Sequence, residues 1–369
     1  MLNKIKYFYS SMKNMGSYMN AINDHFLDYY MRHHKVIGWF NGCPVYSAFL
    51  TPGLSKPLAN TMSRRLISNI LQESLPGMVN VGVTDACNAK CEHCSFYNNA
   101  MCKPEKNSIT TEEMKTILKD CQDFGISVIN FVGGEPLLNK DLPELISSVN
   151  KDKSVASVYT NGWHLEKKAR ELKDAGTMMV IASLDSTDPK IHDKFRRLPG
   201  LFDKAIKGIK ESQRVGLLTG ISTTLVQEDL ENGNFEKMIE FTKKMKVNEL
   251  IVYDTMPVGM YSHREDLKKK RIDFRKLFKI VDKYAKKKDY PGIFCYAHFR
   301  SHMAFGCTSG KGYFYVTPYG EMCPCDFKAT RIGNLLETPL PILWKKLSHA
   351  RKNIGSGYMN TCCDHEVNN

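Results

Sequence analysis

The sequence predicts an α/β chain built on a partial (β/α)6 barrel, with an N-terminal helical segment before it and a small cysteine-rich domain after it. Two observations carry this reading. Six short β-rich runs alternate with helical patterns between Met78 and Lys288, which is the signature of a parallel sheet with crossover helices. The composition also shifts on either side, giving segments 1–75, 76–290 and 291–369.

The β-rich runs are Val79–Thr84, Val128–Phe131, Val155–Thr160, Met179–Leu184, Thr219–Val226 and Leu250–Tyr253. Helical patterns lie between them at Thr110–Phe124, Leu142–Asn150, Leu165–Ala175, Phe202–Val215 and Phe235–Met245, and Ile272–Lys287 follows the last run. Six units fall short of a closed eightfold barrel, and the functional site is expected at the carboxyl ends of the strands. Before the barrel, Met1–Val36 is rich in Tyr, Phe, Met and His at loose helical spacing, Gly and Pro then break the chain, and Ser63–Gln72 reads as a short amphipathic helix. After it, Gly312–Thr317 and Glu321–Cys325 read as a hairpin turning at Gly320, and Ile342–Arg351 as a helix.

The chain has 369 residues, of which 42% are hydrophobic and 25% charged, so wholesale disorder and fibrous classes are excluded. The net charge is +13, and the stretch Arg264–Asp289 alone supplies twelve Lys/Arg against five acids. That distribution argues for a local basic face rather than a nucleic-acid-binding coat. No apolar run is long enough for a membrane span and no signal peptide is read at the N-terminus. The expected location is the cytoplasm, with membrane association kept as an alternative. A reducing compartment disfavours disulfides, so the twelve cysteines point to metal.

Cys87, Cys91 and Cys94 form Cys-x3-Cys-x2-Cys in the loop after the first strand. Three thiolates in eight residues can hold three corners of an iron–sulfur cubane and leave one iron open. A structural zinc site, the competing reading, calls for a fourth protein ligand, and a four-cysteine ferredoxin fills every corner. Gly133-Gly134-Glu135-Pro136 follows the second strand, about 40 residues later. Thr160-Asn161-Gly162 ends the third strand, Ser183-Leu184-Asp185 the fourth, and Pro257-Val258-Gly259 follows the sixth.

Taken together, these motifs resemble the radical S-adenosylmethionine (radical SAM) superfamily over roughly Leu75–Asp289. The resemblance implies a 4Fe–4S cluster on Cys87, Cys91 and Cys94, whose open iron chelates S-adenosylmethionine. It also implies cofactor contacts from Gly133, Gly134, Glu135, Asn161, Ser183, Asp185, Pro257 and Gly259. His93 stands where the family usually has an aromatic residue beside the adenine. The activity implied is reductive cleavage of S-adenosylmethionine to a 5′-deoxyadenosyl radical, which abstracts hydrogen from a substrate C–H. The sequence singles out no catalytic side chain.

Cys307, twelve residues, Gly320, four residues and Cys325 resemble the opening of the SPASM/twitch extension of this superfamily. That resemblance implies one auxiliary iron–sulfur cluster, with Cys307, Cys325, Cys362 and Cys363 as ligand candidates. Cys323 could replace Cys325, and a zinc ribbon is the alternative for the group. Assistance of substrate oxidation by the auxiliary cluster is the expected role. The substrate class stays open among small molecules, lipids and peptides. The expected partners are a flavodoxin- or ferredoxin-type electron donor and, through the aromatic N-terminal segment, a membrane surface; nucleic acid is not expected. The competing function is a non-catalytic iron–sulfur or zinc-binding carrier or scaffold.

Overall fold

The computed structural model describes residues 35–96, 108–264, 272–299, 307–327 and 330–352. The expected helix over Met1–Val36 and the ligand candidates Cys362 and Cys363 lie essentially outside that set. A small hairpin comes first, of β1 (Gly38–Phe40) and β2 (Cys43–Val45), followed by helix α1 (Lys56–Leu71). Helix α1 covers the expected Ser63–Gln72 helix up to Leu71 but starts seven residues earlier, at the Lys56-Pro57 pair, where proline suits a first turn.

Six parallel strands then appear where the sequence placed them: β3 (Met78–Gly82), β4 (Val128–Val132), β5 (Val155–Thr160), β6 (Met179–Ser183), β7 (Leu218–Leu225) and β8 (Glu249–Asp254). Their crossovers include α2 (Thr111–Asp123), α3 (Leu142–Ser148), α4 (Leu165–Asp174), α5 (Pro189–Arg196), α6 (Leu201–Arg214), α7 (Gln227–Glu231) and α8 (Asn234–Lys244). Local chemistry starts these helices. Thr110 and Glu113 form a reciprocal cap on α2, and Asp188 caps α5 with Pro189 in its first turn, each satisfying backbone N–H groups left without helical partners.

The sheet is larger than the alternation implied. Helix α9 (Phe274–Ala285) leads into a seventh parallel strand, β9 (Gly292–Cys295), paired to β8. A short helix, α10 (Tyr296–Phe299), follows it. At the other edge, β10 (Tyr313–Val316) pairs in parallel with β3 and continues antiparallel through β11 (Glu321–Cys323) to β12 (Gly333–Asn334). The order is β12-β11-β10-β3-β4-β5-β6-β7-β8-β9. Among the described residues the two edges do not pair, so the barrel is open, as six units suggested. The last helix, α11 (Leu340–Lys352), packs on the outside with Trp344 buried against Phe314.

Both faces of the parallel strands are covered. Outward residues such as Val79, Val81, Ile129, Phe131 and Val158 join the helices in the main core. A second cluster occupies the lumen: Val128, Val155, Met179, Ile181, Ile251 and Phe294 meet Val45 and Ala48 from the N-terminal segment. The chain before α1 therefore plugs the floor of the barrel. Phe49 stacks on Phe294 with centroids 4.2 Å apart, and the Ala48 N–H donates to Glu249 Oε2 at 2.8 Å.

Candidate active site

At the carboxyl ends of the strands the loop after β3 carries the three cysteines, and all three line one cavity. Three separate segments hold that loop by backbone contacts. Gly134 N–H donates to Thr84 O and Glu135 N–H to Ala86 O, both at 2.8 Å. From the end of α5, carbonyls accept from the loop: Lys90 N–H donates to Arg196 O at 3.2 Å and Glu92 N–H to Phe195 O at 3.0 Å. From the turn after β8, Met260 N–H donates to Cys94 O at 2.9 Å.

The glycines are required by these approaches. A Cβ on Gly134 would sit 2.3 Å from Ala86 O, and one on Gly259 would sit 2.2 Å from Cys94 O. Gly133 has φ +146°, in a region that only glycine enters at little cost. The Gly-Gly-Glu-Pro and Pro-x-Gly motifs thus meet the cysteine loop itself, in addition to facing the space beyond it.

Burial pushes the Cys87 thiol up to about 12. It moves Cys91 in the same direction, opposed by Arg196. Half-buried thiols clustered in this way ionise on coordinating a metal cation. The donor set fits a three-cysteine cluster with one corner open. Arg196 Nη1 lies 3.9 Å from Cys91 Sγ, and its Nε makes a buried ion pair of 2.7 Å with Asp185 Oδ2. Burial opposes charge on Asp185, but Arg196 and the nearby His93 and His192 hold it down to about 2.

The remaining expected residues divide into those that face the cavity and those that brace it. Gly133, Gly134, Glu135, Asn161 and Ser183 line it, whereas Asp185, Pro257 and Gly259 do not. Glu135 is fully buried and heavily used. Its Oε1 accepts from Thr160 Oγ1 at 2.6 Å and from Leu137 N–H at 3.0 Å, and its Oε2 from Asn161 N–H at 2.7 Å. Burial nevertheless raises its pKa. Asn161 Nδ2 donates to Asn88 Oδ1 at 2.7 Å, tying β5 to the cysteine loop. His93 lines the cavity and stacks on Phe195 with centroids 4.6 Å apart. Its burial lowers its pKa to about 4, so the ring is neutral near pH 7.

Four further wall residues, Asn80, Tyr159, Tyr253 and Phe327, are ones the sequence does not single out. Together with Asp326 they line the same cavity. Asp326 is held by Tyr313 Oη, which donates to Oδ1 at 2.5 Å, and by Asn80 Nδ2, which donates to Oδ2 at 3.2 Å. Asn130 Nδ2 donates to Asn80 Oδ1 at 3.0 Å across β3 and β4. A signal existed in the sequence: Asn80 and Asn130 each interrupt an apolar strand run, and they are register partners.

Asp326 follows Cys325 directly, so the C-terminal hairpin brings its cysteines near the cavity wall. Cys325 is buried and Cys307 half-buried. Ser309 Oγ donates to Pro324 O at 2.8 Å, drawing the two segments together. Cys323 instead points into the lumen among Val132 and Tyr315. Burial pushes its thiol up to about 12.

Residues 81–242 match the radical SAM superfamily, and residues 307–365 match the SPASM iron–sulfur cluster-binding domain. The chain carries a radical SAM domain followed by a SPASM domain. The cofactors of that superfamily, a 4Fe–4S cluster and S-adenosylmethionine, go with the first domain, and further iron–sulfur binding goes with the second. Among sequence relatives, the chain is 26% identical over 298 residues to the AdoMet-dependent heme synthase of Nitratidesulfovibrio vulgaris, covering 73% of this chain and 79% of that one. It is 33% identical over 210 residues to the Fe-coproporphyrin III synthase of Methanosarcina barkeri, covering 56% and 51%. Among solved structures, Streptococcus suis SuiB bound to S-adenosylmethionine shares the fold with a TM-score of 0.64 at 18% identity, covering 83% of this chain and 76% of SuiB.

Proposed function

We propose that this radical SAM enzyme is an oxidoreductase whose C-terminal cysteines carry one auxiliary iron–sulfur cluster that takes an electron from the substrate. When bound, the triad's cluster and S-adenosylmethionine supply a 5′-deoxyadenosyl radical that removes a hydrogen atom from a substrate C–H. Cys87, Cys91 and Cys94 hold that first cluster. Arg196 places a positive charge beside Cys91. Asn161, Ser183, His93 and the Gly133–Gly134 backbone orient S-adenosylmethionine, while Asp185 and Gly259 act through the loop they brace.

One observation carries the oxidative reading. Asp326 and Phe327, next to Cys325, line the same cavity as the cysteine triad. A substrate in that cavity would lie between the two cysteine sets, which suits an electron leaving toward the C-terminal one. Tyr159, Tyr253 and Phe327 offer ring surface, and Asp326 offers a fixed hydrogen-bond acceptor. These features favour a peptide or small molecule with an apolar body and a hydroxyl, amine or amide donor beside the reacting carbon. An electron-donor protein of flavodoxin or ferredoxin type supplies the first electron. The division 76–290 and 291–369 is kept as a functional one, each part bringing its own cysteines.

The test is a Cys307→Ala/Cys325→Ala variant, reconstituted anaerobically beside the parent. It should lose about four irons, one cubane's worth, and still release 5′-deoxyadenosine on reduction with S-adenosylmethionine. Unchanged iron content would contradict the auxiliary cluster.

A further inference from the structure

We infer that the floor of the barrel, at the end opposite the cysteine loop, is a docking surface for an anionic lipid bilayer. The segments that meet there are 35–39, 240–248 and 282–292. The contacts that join them are direct. Asn248 Nδ2 donates to Ile37 O at 2.7 Å, Lys35 Nζ donates to Tyr290 O at 2.7 Å, and a Cβ on Gly292 would meet the Ile37 side chain. These segments carry eight lysines against Glu240, Asp282 and Asp289. Six of those lysines are exposed.

The lysines are organised around two rings. Tyr284 and Tyr290 lie 5.1 Å apart. Lys243 sits 4.2 Å from the Tyr290 ring, Lys283 4.9 Å from Tyr284, and Lys287 within 5.3 Å of both. Cation–ring contact keeps ammonium groups on one surface without neutralising them. Every cation in the three segments is lysine. Lysine is a point charge that suits a diffuse headgroup layer, whereas the planar fork of arginine suits defined carboxylate pairs on an acidic protein.

The second, independent feature is Trp39. It is 62% exposed and stands on the β1–β2 hairpin, which the left-handed pair Asn41-Gly42 closes in two residues. Gly38, its neighbour, packs against Leu218 at the start of β7, so the hairpin is seated on the floor beside the lysines. Val36 is 44% exposed next to it. An outward tryptophan on a short hairpin, at the same end of the barrel as the lysines, is the arrangement that seats in a bilayer interface. Because the cavity lies at the other end of the strands, docking locates the enzyme without occupying its site.

The experiment is co-sedimentation of the full chain with vesicles of pure phosphatidylcholine and of phosphatidylcholine with roughly 30% phosphatidylserine, the anionic lipid of cytoplasmic leaflets. Binding is expected only to the anionic vesicles, and it should vanish at about 1 M salt, where screening shortens the reach of charge to about 3 Å. Lys243→Gln/Lys287→Gln should weaken it about 25-fold, about fivefold per lysine, and Trp39→Ala about tenfold. Both variants should release 5′-deoxyadenosine like the parent, which reads their folding separately. No binding, equal binding to neutral vesicles, or parent-like binding by both variants would overturn the proposal. The last result would place the contact elsewhere in the chain.

Discussion

Arg196 Nε lies 2.7 Å from Asp185 Oδ2, with both side chains buried. The same guanidinium faces Cys91 Sγ at 3.9 Å. The pair thus links the end of β6 to the first cluster loop through α5, whose last carbonyls also hold that loop. Removing Asp185 leaves a buried cation without its partner. Asp185→Ala should cost about 3–5 kcal/mol of stability and lower the iron bound per chain. Denaturant unfolding and iron assay on the same preparation check both. A stable, fully loaded variant would show that the pair is not a brace.

Gly134→Ala tests the backbone approach at the cysteine loop. The added methyl would lie 2.3 Å from Ala86 O and 2.6 Å from Asp85 O. Backbone cannot step aside as a side chain can, so the loop must move. The expected cost is about 1–3 kcal/mol, with reduced cluster loading and the rest of the fold intact by circular dichroism. Parent-level iron and 5′-deoxyadenosine would mean the loop has more room than the contacts suggest.

Glu249 gives the pH dependence of stability. Burial raises its pKa to about 7, against partial relief from Ser47 and the Ala48 N–H. Among the described residues, its Oε1 has no hydrogen-bond partner. Because the folded pKa lies above the unfolded value near 4.5, the folded state holds the proton longer. Its contribution is fully present below pH 4.5 and is lost as pH rises to about 7, roughly 3 kcal/mol in all. Glu249→Gln keeps an acceptor for Ala48 and removes the titration. Denaturant unfolding from pH 5 to 8 should show a flatter profile and greater stability at pH 8 than the parent. An unchanged slope would assign the pH dependence to other groups.

Truncation after residue 290 tests whether the C-terminal part is separable. It would remove β9, the neighbour of β8, and β10, the neighbour of β3. It would also remove Trp344, whose Nε1 donates to Ser74 O at 2.7 Å. Both edges of the sheet and part of the main core would be stripped, so the fragment should be insoluble or unfold without a cooperative transition. A cooperative, soluble fragment would show that the barrel is complete at residue 290.

These results mark what was legible in the sequence. The six strands β3–β8 were readable because each is a short apolar, β-branched run followed by a helical period. The cysteine loop and the Gly-Gly-Glu-Pro turn were readable because their residue types serve few other purposes at such spacing. Strand β9 was hidden: Gly292–Cys295 is four residues long and begins next to Pro291, so the break signals outweighed Ile293 and Phe294. The β1–β2 hairpin was hidden by Pro44, which an edge strand tolerates. Arg196 and Asp326 were visible as residues, but their positions at the cavity depend on how α5 folds back over the cysteine loop and how β10 pairs with β3. No local pattern encodes either.

The central claim is that two separate cysteine sets serve one cavity, with the triad alone responsible for cleaving S-adenosylmethionine. The most direct measurement is the iron content and 5′-deoxyadenosine release of the parent beside a Cys87→Ala/Cys91→Ala/Cys94→Ala variant after anaerobic reconstitution and reduction. The account predicts about eight irons in the parent and about four in the variant, one cubane per set, with 5′-deoxyadenosine from the parent only. About four irons in the parent and none in the variant would contradict it, as would 5′-deoxyadenosine from the variant.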